Sequence, residues 1–140
     1  MAVETTIILL KPDCVSKGLC GEVIGRLESQ GRIRGIKMLR MNDELLREHY
    51  AHIADQPFFP DIVAFMTRTP IIAVAVEGEN IVERFRELLG PTDSTKAKKG
   101  TIRGDHGVDM MTNIAHASDS PENAKIEVDR FFEPAEIFDY

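Results

Sequence analysis

Cysteine is scarce in this sequence, and the two that occur form no recognisable site. Cys14 and Cys20 are the only cysteines among the 140 residues, and their spacing matches no metal-binding pattern. Two cysteines are also too few for the disulfide framework of a small secreted protein. We therefore expect reduced thiols in a cytoplasmic protein.

A membrane span and a secretion signal are missing as well. No apolar run approaches the length that crosses a bilayer. Residues 1–5 do not begin a basic stretch followed by an apolar one and a cleavage site. We therefore expect a cytoplasmic location and no membrane partner.

Basic charge is in short supply. The formal net charge is −6 at pH 7, whereas a protein that binds nucleic acid usually presents a basic face to the phosphates. The one dense basic run comprises Lys96, Lys98 and Lys99, followed by Arg103. Such a run is most often a solvated surface, so we do not expect a nucleic-acid partner.

The familiar glycine-rich phosphate motifs are also absent. The sequence contains neither G-x-x-x-x-G-K-[ST] nor G-x-G-x-x-G, the patterns that bind phosphate through backbone N–H groups and a helix N-terminus. Any phosphate chemistry in this protein must therefore depend on side chains.

The composition that is present is typical of a soluble globular protein. Hydrophobic residues make up 43% of the chain and charged residues 29%, which is enough to form one core beneath a solvated surface. No linker, internal repeat or low-complexity segment interrupts it. Residues 1–140 are therefore expected to form a single domain.

Hydrophobic periodicity predicts four strands and five helices. Strands are expected at 5–10, 33–41, 71–76 and 113–117, with Gly78 breaking the third. Asn42 and Ser120 are expected helix N-caps, and Pro121 suits a first helical position. Ile126 is expected to make apolar contacts in the last helix. The other helices are expected at 21–30, 42–52, 58–68 and 80–89, whereas 91–112 shows no convincing period.

The order of these elements predicts an α+β fold. It runs β-α-β-(αα)-β-α-loop-β-α, and without the αα insertion it becomes β-α-β-β-α-β. That is the ferredoxin-like arrangement, a four-stranded antiparallel sheet covered by helices on one face. A long loop precedes the last strand, and a loop of this length in a small domain is usually functional or disordered.

His116 is the strongest candidate for chemistry. A histidine side chain is mostly neutral at pH 7 and is then a competent nucleophile and phosphoryl acceptor. Glu127 lies about two turns into the following helix and could accept a hydrogen bond from one ring nitrogen, which would leave the other free to attack. A histidine beside an apolar pair can equally be a structural residue.

Three cations could serve phosphate chemistry. Phosphoryl transfer needs positioning and charge stabilisation more than covalent help from the protein. Lys11 ends the first strand, Arg86 lies on the helix before the long loop, and Arg103 lies within that loop. Each taken singly is more often a surface charge, and spacing alone does not bring them together.

Three segments resemble signatures of the nucleoside diphosphate kinase family. They are Lys11-Pro12-Asp13 after a short apolar strand, GTIRGD at 100–105, and NIAHASDS at 113–120 around His116. Four further features fall at intervals similar to those of the family pattern: Tyr50, 57–59, 77–78 and 89–90. The resemblance covers about 5–132, and its last two motifs are highly specific in this order and spacing.

The resemblance implies an enzyme that transfers the γ-phosphoryl group of a nucleoside triphosphate to a nucleoside diphosphate by a ping-pong mechanism, with broad base tolerance. His116 corresponds to the phosphorylated histidine, and attack would come from its Nδ1. Glu127 corresponds to the carboxylate that orients the ring, with Ser118 nearby. Tyr50 corresponds to a tyrosine close to the histidine.

The family pattern also implies the nucleotide contacts. Lys11, Arg86, Thr92 and Arg103 correspond to the groups around the β- and γ-phosphates. Asn113, together with Lys11, corresponds to the contacts with the sugar hydroxyls.

The base and the metal follow from the same resemblance. Phe58 and Ile62 correspond to the apolar clamp on the base, with Met110 on its other side. Mg²⁺ would arrive on the nucleotide phosphates with no direct protein ligand, and Asp119 could touch it through water. The family also implies a homo-oligomer, a hexamer or a tetramer.

Several positions depart from the commonest family pattern. Ala117 replaces a glycine, Gln56 stands where arginine is frequent, and His106 replaces an aromatic residue. The loop 95–99 lacks prolines, which bears on the type of oligomer. Ile53 stands where some members have a histidine that faces phosphate, so that contact is either missing or supplied by His52.

Two alternatives of other classes remain. Ferredoxin-like sheets can bind single-stranded RNA on strand aromatics, although 5–10 and 71–76 contain none. The chain could also be a ligand-sensing regulatory domain in which His116 is inert.

Overall fold

The computed structural model describes residues 2–140 and contains one four-stranded antiparallel sheet. Its strands are β1 (Val3–Leu10), β2 (Arg32–Leu39), β3 (Ile71–Glu79) and β4 (Ala115–Ala117), in the spatial order β2-β3-β1-β4. The two central strands are the most apolar segments of the chain, as expected for strands buried on both faces. This order and direction confirm the predicted ferredoxin-like fold.

Seven α-helices and three short 3₁₀ turns accompany these strands within residues 2–140, and the last helix and the last turn follow the final strand. The 3₁₀ turns are Ala51–Ile53, Ser94–Lys96 and Pro134–Glu136. The helices are α1 (Pro12–Ser16), α2 (Cys20–Glu28), α3 (Asp43–His49), α4 (Phe59–Met66), α5 (Ile81–Leu89), α6 (Ile102–His106) and α7 (Pro121–Phe131). In this part of the chain no helix has the length and apolar character needed to cross a bilayer.

Both faces of the sheet are covered, whereas the sequence predicted helices on one face. On one face α2 and α5 pack on side chains such as Ile8 and Val74. On the other face α3, α4 and α7 pack on side chains such as Ile7 and Ala73. Adjacent residues of a strand point to opposite faces, so the unbroken apolar runs of β1 and β3 required this second layer.

Several predicted boundaries are wrong. β3 continues through Gly78 to Glu79 because β1 begins at Val3 and pairs with this extension. The segment 91–112, expected to lack regular structure, contains α6 and a 3₁₀ turn. Lys11 is followed by the short helix α1, in which Pro12 takes the first helical position.

The predicted helix caps are confirmed. The side chain of Asn42 accepts a hydrogen bond from the N–H of Leu45, and that of Ser120 accepts one from Asn123. The expected packing of α7 is wrong at one position. Ile126 is 54% exposed, because α7 turns a different face to the sheet.

Candidate active site

His116 lies on β4, at the edge of the sheet and beside β1. It pairs with Leu9 across the ladder, and its side chain is about one quarter exposed. The N–H of Lys11 donates to the carbonyl of Ile114 at 2.9 Å. The end of β1 and the start of β4 therefore meet, and this meeting brings Lys11 to the same region as His116.

The tertiary structure supplies the partner that the sequence suggested for this histidine. Nε2 of His116 lies 2.9 Å from Oε1 of Glu127 on α7. The hydroxyl of Ser118 donates to the same oxygen at 2.6 Å. Because a carboxylate only accepts hydrogen bonds, Nε2 of neutral His116 carries the proton and Nδ1 keeps its lone pair. Nδ1 makes no hydrogen bond within residues 2–140.

The electrostatics of Glu127 support this arrangement. Burial alone would raise the pKa of its carboxyl group. Two hydrogen bonds, from His116 and from Ser118, favour the carboxylate, and so does the electrostatic interaction with His116. Together these effects outweigh burial and lower the pKa of Glu127 to about 2. Glu127 is therefore an anion at neutral pH and can stabilise a positive charge that develops on His116.

A second histidine, which was not predicted from the sequence, packs against the first. His49 ends α3, and its ring meets that of His116 edge to face with centroids 4.6 Å apart. Tyr50 also packs edge to face against His49, with ring centroids 4.8 Å apart. The position of His49 immediately before Tyr50, at the end of a helix with apolar periodicity, was a signal that could have found it.

His49 is held as a neutral residue. Arg130 on α7 donates to its Nδ1 at 2.9 Å, which places the ring proton on Nε2. Burial is the main reason that the pKa of His49 is lowered to about 3, and the electrostatic effect of His116 is the next largest. Donor atoms of His49, His116 and Glu127 lie within 4.8 Å of one another, but the guanidinium of Arg130 beside them opposes a metal cation.

Lys11 and Asn113 form a buried polar pair. Nζ of Lys11 donates to Oδ1 of Asn113 at 2.7 Å and to the carbonyl of Met111 at 2.6 Å. Nδ2 of Asn113 donates to the carbonyls of Thr92 and Met110. Burial lowers the pKa of Lys11 to about 8. Its ammonium group retains one further N–H, which is available to an anion.

Arg103 braces the same region from α6. Its guanidinium donates to the carbonyls of Asn113, Gly90 and Ala115 at 3.2, 2.9 and 2.6 Å. Each terminal nitrogen keeps a second N–H that makes no hydrogen bond within residues 2–140. Burial and the nearby Arg86 lower the pKa of Arg103 to about 10, so it remains a cation at neutral pH.

One cleft of about 1770 Å³, here called the His116 cleft, gathers the predicted site residues. Tyr50 is largely enclosed there, and burial raises the pKa of its hydroxyl to about 12. Arg86 and Thr92 line the cleft as exposed residues. The lining includes Lys11, His49, Tyr50, His52, Ile53, Phe58, Ile62, Arg86, Thr92, Arg103, Met110, Asn113, His116, Asp119 and Glu127.

The apolar part of the lining comes from two separate segments. Phe58 caps the start of α4 and is 48% exposed, and Ile62 lies one turn further along that helix. Met110, 64% exposed, lies in the loop before β4. These exposed apolar side chains could cover a flat, apolar ligand group.

The backbone before His116 is strained and anchored. Ile114 has φ 77, a conformation that is costly for a β-branched residue. Its N–H donates to the carboxylate of Asp13 at 2.9 Å, and its carbonyl accepts from the N–H of Lys11. Asp13, which the sequence indicated only as part of a motif, therefore helps to fix the segment that carries His116.

The departures from the family pattern do not alter this geometry. Ala117 is not among the non-glycine residues with positive φ, which in residues 2–140 are Asn80 and Ile114. It therefore tolerates a Cβ atom. His106 contacts Glu22 on α2, outside the cleft. His52 and Ile53 both line the cleft.

Comparison with known protein families finds one match along nearly the whole chain. Residues 4–137 match the family model described as nucleoside diphosphate kinase. A curated nucleoside diphosphate kinase from Dehalococcoides mccartyi is 46% identical over 98% of this chain and 97% of its own length. One from Pyrococcus abyssi is 44% identical over 98% of this chain and 89% of its own length.

Solved structures of the same kind share the fold. A nucleoside diphosphate kinase from Aquifex aeolicus superposes with a TM-score of 0.92 and 40% identity, covering 98% of this chain and 100% of that one. A halophilic nucleoside diphosphate kinase from Halobacterium salinarum, solved in complex with CDP, gives a TM-score of 0.95 and 39% identity, covering 99% and 93%.

Proposed function

This chain belongs to the nucleoside diphosphate kinase family, and we propose that His116 is the residue that carries the phosphoryl group during its reaction. The enzyme transfers the γ-phosphoryl group of a nucleoside triphosphate to a nucleoside diphosphate by a ping-pong mechanism. The assignment of individual residues to this reaction is our proposal.

One observation carries the assignment of His116. Its Nε2 is occupied by Glu127 at 2.9 Å, so its Nδ1 is the nitrogen with a free lone pair. His116 also lines the cleft where the predicted phosphate and base contacts converge. In this proposal Nδ1 attacks the γ-phosphorus in line and the bond to the β–γ bridging oxygen breaks.

The cations stabilise the transferring group. Lys11 keeps one N–H, and Arg103 two, that no acceptor within residues 2–140 uses, and Arg86 is exposed in the same cleft. Positive donors already fixed in place stabilise charge on the equatorial and leaving oxygens without reorganising during the reaction. Thr92 and Tyr50 contribute neutral hydroxyl groups to the same lining.

The second half-reaction reverses the first. The diphosphate product leaves, a second diphosphate enters, and one of its terminal oxygens attacks the phosphorus on His116 as the bond between phosphorus and Nδ1 breaks. Positive charge that arises on the ring is balanced by anionic Glu127, which Ser118 holds by a 2.6 Å hydrogen bond. Because one cleft serves both nucleotides in turn, kinetics should be ping-pong.

Base and sugar are bound at the outer part of the cleft in this proposal. Phe58, Ile62 and Met110 offer apolar contact that any base can use, which accounts for broad base tolerance. Asn113 would meet the sugar hydroxyls together with Lys11. Its amide N–H groups already bind Thr92 and Met110, and its carboxamide oxygen accepts from Lys11, so the second lone pair of that oxygen is the one available for this contact.

Members of this family use a divalent metal with the nucleotide, and we propose Mg²⁺ here. Asp119 fits an outer contact to such an ion. Its carboxylate is exposed in the cleft lining, and its Oδ1 accepts from Asn123 at 2.6 Å. The other oxygen makes no hydrogen bond within residues 2–140. The ion itself would supply charge neutralisation on the phosphates.

Two further expectations belong to this proposal. A homo-oligomer, tetramer or hexamer, is typical of the family, and sedimentation of the purified protein would identify it. A cytoplasmic location is expected from the sequence, and cell fractionation would test it.

The decisive experiment is phosphoryl exchange between a triphosphate and a diphosphate of different bases. The reaction uses γ-labelled triphosphate, followed by peptide mapping of the labelled protein. His116 should carry an acid-labile label. His116→Ala should lose turnover and labelling yet still bind nucleotide. His106→Ala, outside the cleft, is the matched control. Exchange by His116→Ala within roughly a hundredfold of the parent would contradict the assignment.

The same labelling separates the alternative functions. An inert regulatory domain would bind nucleotide without becoming a phosphoprotein. An RNA-binding sheet needs aromatic side chains on an open strand face, but in this structure helices pack on both faces. Tight and steeply salt-dependent binding of single-stranded oligonucleotides would be required to support that role.

A further inference from the structure

The two cysteines lie together in the folded protein, and neither lines the His116 cleft. Cys14 is on α1 and Cys20 is the first residue of α2, and their sulfur atoms are 3.9 Å apart. The turn between the helices is closed by a hydrogen bond from the N–H of Leu19 to the carbonyl of Cys14. Both thiols are free.

We propose that Cys14 and Cys20 form a reversible disulfide under oxidising conditions, and that this disulfide slows phosphoryl transfer. The proposed effect on transfer rests on the proposed function, whereas formation of the disulfide does not. Disulfide formation requires the sulfurs to approach by about 1.9 Å, from 3.9 Å to a bond length of about 2.05 Å. The intervening turn is exposed at residues 16–18 and contains Gly18 at φ 68, so it can absorb part of this movement.

The two thiols differ in access, which defines the order of events. Cys20 is partly exposed and Cys14 is fully buried. With hydrogen peroxide as oxidant, the sulfur of Cys20 attacks one peroxide oxygen, the O–O bond breaks, and a sulfenic acid and water result. The sulfur of Cys14 then attacks that of Cys20. The S–O bond breaks, and hydroxide leaves with the proton of Cys14 as a second water.

The net reaction balances in electrons. Two thiols lose two electrons and two protons, and one peroxide is reduced to two waters. A thiol–disulfide exchange with a small oxidised dithiol gives the same protein product. In a reducing cytoplasm both cysteines would be thiols, so the disulfide would form only under oxidative load.

The link to the active site runs through α1. Cys14 immediately follows Asp13, whose carboxylate accepts from the N–H of Ile114 at 2.9 Å. The backbone N–H of Lys11, one residue before α1, donates to the carbonyl of Ile114. Any movement of Cys14 toward Cys20 therefore acts on Lys11 and on the segment that carries His116. A displacement of about 1 Å in a catalytic group can cost roughly a hundredfold in rate.

The experiment compares reduced and oxidised protein. The intact parent is treated with dithiothreitol, with hydrogen peroxide, or with diamide, and its intact mass, free thiols and exchange rate are measured. Oxidation should remove two hydrogens and both free thiols without forming a covalent dimer. It should lower kcat/KM roughly tenfold or more. Dithiothreitol should restore both mass and rate.

Cys20→Ser is the informative variant because it removes the accessible thiol and leaves the buried one in place. It should keep the parental rate when reduced and keep most of it after diamide treatment. Met110 and Met111 are exposed, and peroxide could oxidise them. That damage would affect parent and variant alike, and dithiothreitol would not reverse it.

Several results would overturn the proposal. Parent protein that retains both thiols under excess diamide, or that forms only intermolecular disulfides, would exclude the bond. A disulfide that forms with unchanged kcat/KM would remove its effect on transfer. If the reduced parent shows no exchange while the mass still falls by two hydrogens, the proposed function fails and the modification site stands.

Discussion

The ring of His49 meets the ring of His116 edge to face, with centroids 4.6 Å apart and planes inclined by 79°. Arg130 fixes His49 from behind by a 2.9 Å contact to its Nδ1. Glu127 forms a hydrogen bond with Nε2 of His116, whereas Nδ1 is the nitrogen that is proposed to attack. The proposed nucleophile, His116, is therefore restrained by a hydrogen bond on one side and by an aromatic ring on another.

We expect His49→Ala to slow phosphorylation of His116 roughly tenfold while nucleotide affinity changes little. The variant removes the ring that limits rotation of His116 but no group proposed to touch the nucleotide. His49→Phe restores the ring and should recover most of the rate. Single-turnover kinetics and nucleotide titration would measure both quantities. A parental rate in His49→Ala would mean that His49 has no positioning role.

We expect Glu127→Gln to reduce the rate of phosphorylation by roughly a hundredfold, less than the loss of His116 itself. Glutamine keeps one acceptor oxygen but removes the negative charge that stabilises the positive ring formed on attack. Ser118→Ala keeps the carboxylate and should cost much less. If the two variants reacted equally fast, the charge of Glu127 would not be the property that matters.

Lys11 predicts a pH dependence of nucleotide binding. Burial lowers its pKa to about 8, so its positive charge is lost as pH rises through 8. The affinity for adenosine diphosphate should fall from there upward, and Lys11→Arg, which stays charged, should lack this fall even if it binds more weakly. Calorimetric titration between pH 7 and about 9.5 would test this. An affinity of the parent that is constant across that range would contradict it.

The lowered pKa of Lys11 affects stability in the opposite direction: nucleotide affinity should fall as pH rises, whereas the contribution of Lys11 to stability should increase. Between about pH 8 and 10.5 the unfolded chain binds more protons at Lys11 than the folded protein does. The contribution of Lys11 to the free energy of unfolding therefore increases with pH across that window. Urea unfolding of the parent and Lys11→Met should show this as a difference that changes with pH.

We expect Phe58→Ala to weaken binding of all nucleotides by a similar amount, about 1–3 kcal/mol. A stacked ring contributes to every base because every base has a π-face. Val108→Ala is a suitable control, since Val108 is exposed to a similar extent but does not line the cleft. Titration with purine and pyrimidine diphosphates would measure the effect. A loss confined to one base would indicate recognition of its edge.

Gly104 tests the packing that holds Arg103. A Cβ atom at Gly104 would lie 1.9 Å from the carbonyl oxygen of Lys98, so Gly104→Ala must displace backbone. We expect a loss of about 1–3 kcal/mol in stability and weaker nucleotide binding. Gly25→Ala, on α2 with nothing within 4 Å of the added atom, should instead stabilise by up to about 1 kcal/mol. Thermal unfolding of both variants would decide.

Local patterns in the sequence were sufficient to predict the order of strands and helices. The apolar runs of β1 and β3, the caps Asn42 and Ser120, and the spacing from His116 to Glu127 all depend on residues near one another in the chain. Short-range backbone geometry determines them. Gly78 was misjudged because the pairing of β3 with the start of β1, a long-range contact, decided where the strand ends.

Only the tertiary structure brings the residues of the site together. Lys11 meets Asn113 across 102 positions of sequence, and His49 reaches His116 from α3, which packs on the same face of the sheet as α7. Such contacts depend on how whole elements pack against one another, and no local period encodes them. Neutral His49 and the lowered pKa of Lys11 follow from the same cause, because burial exists only once the chain has folded.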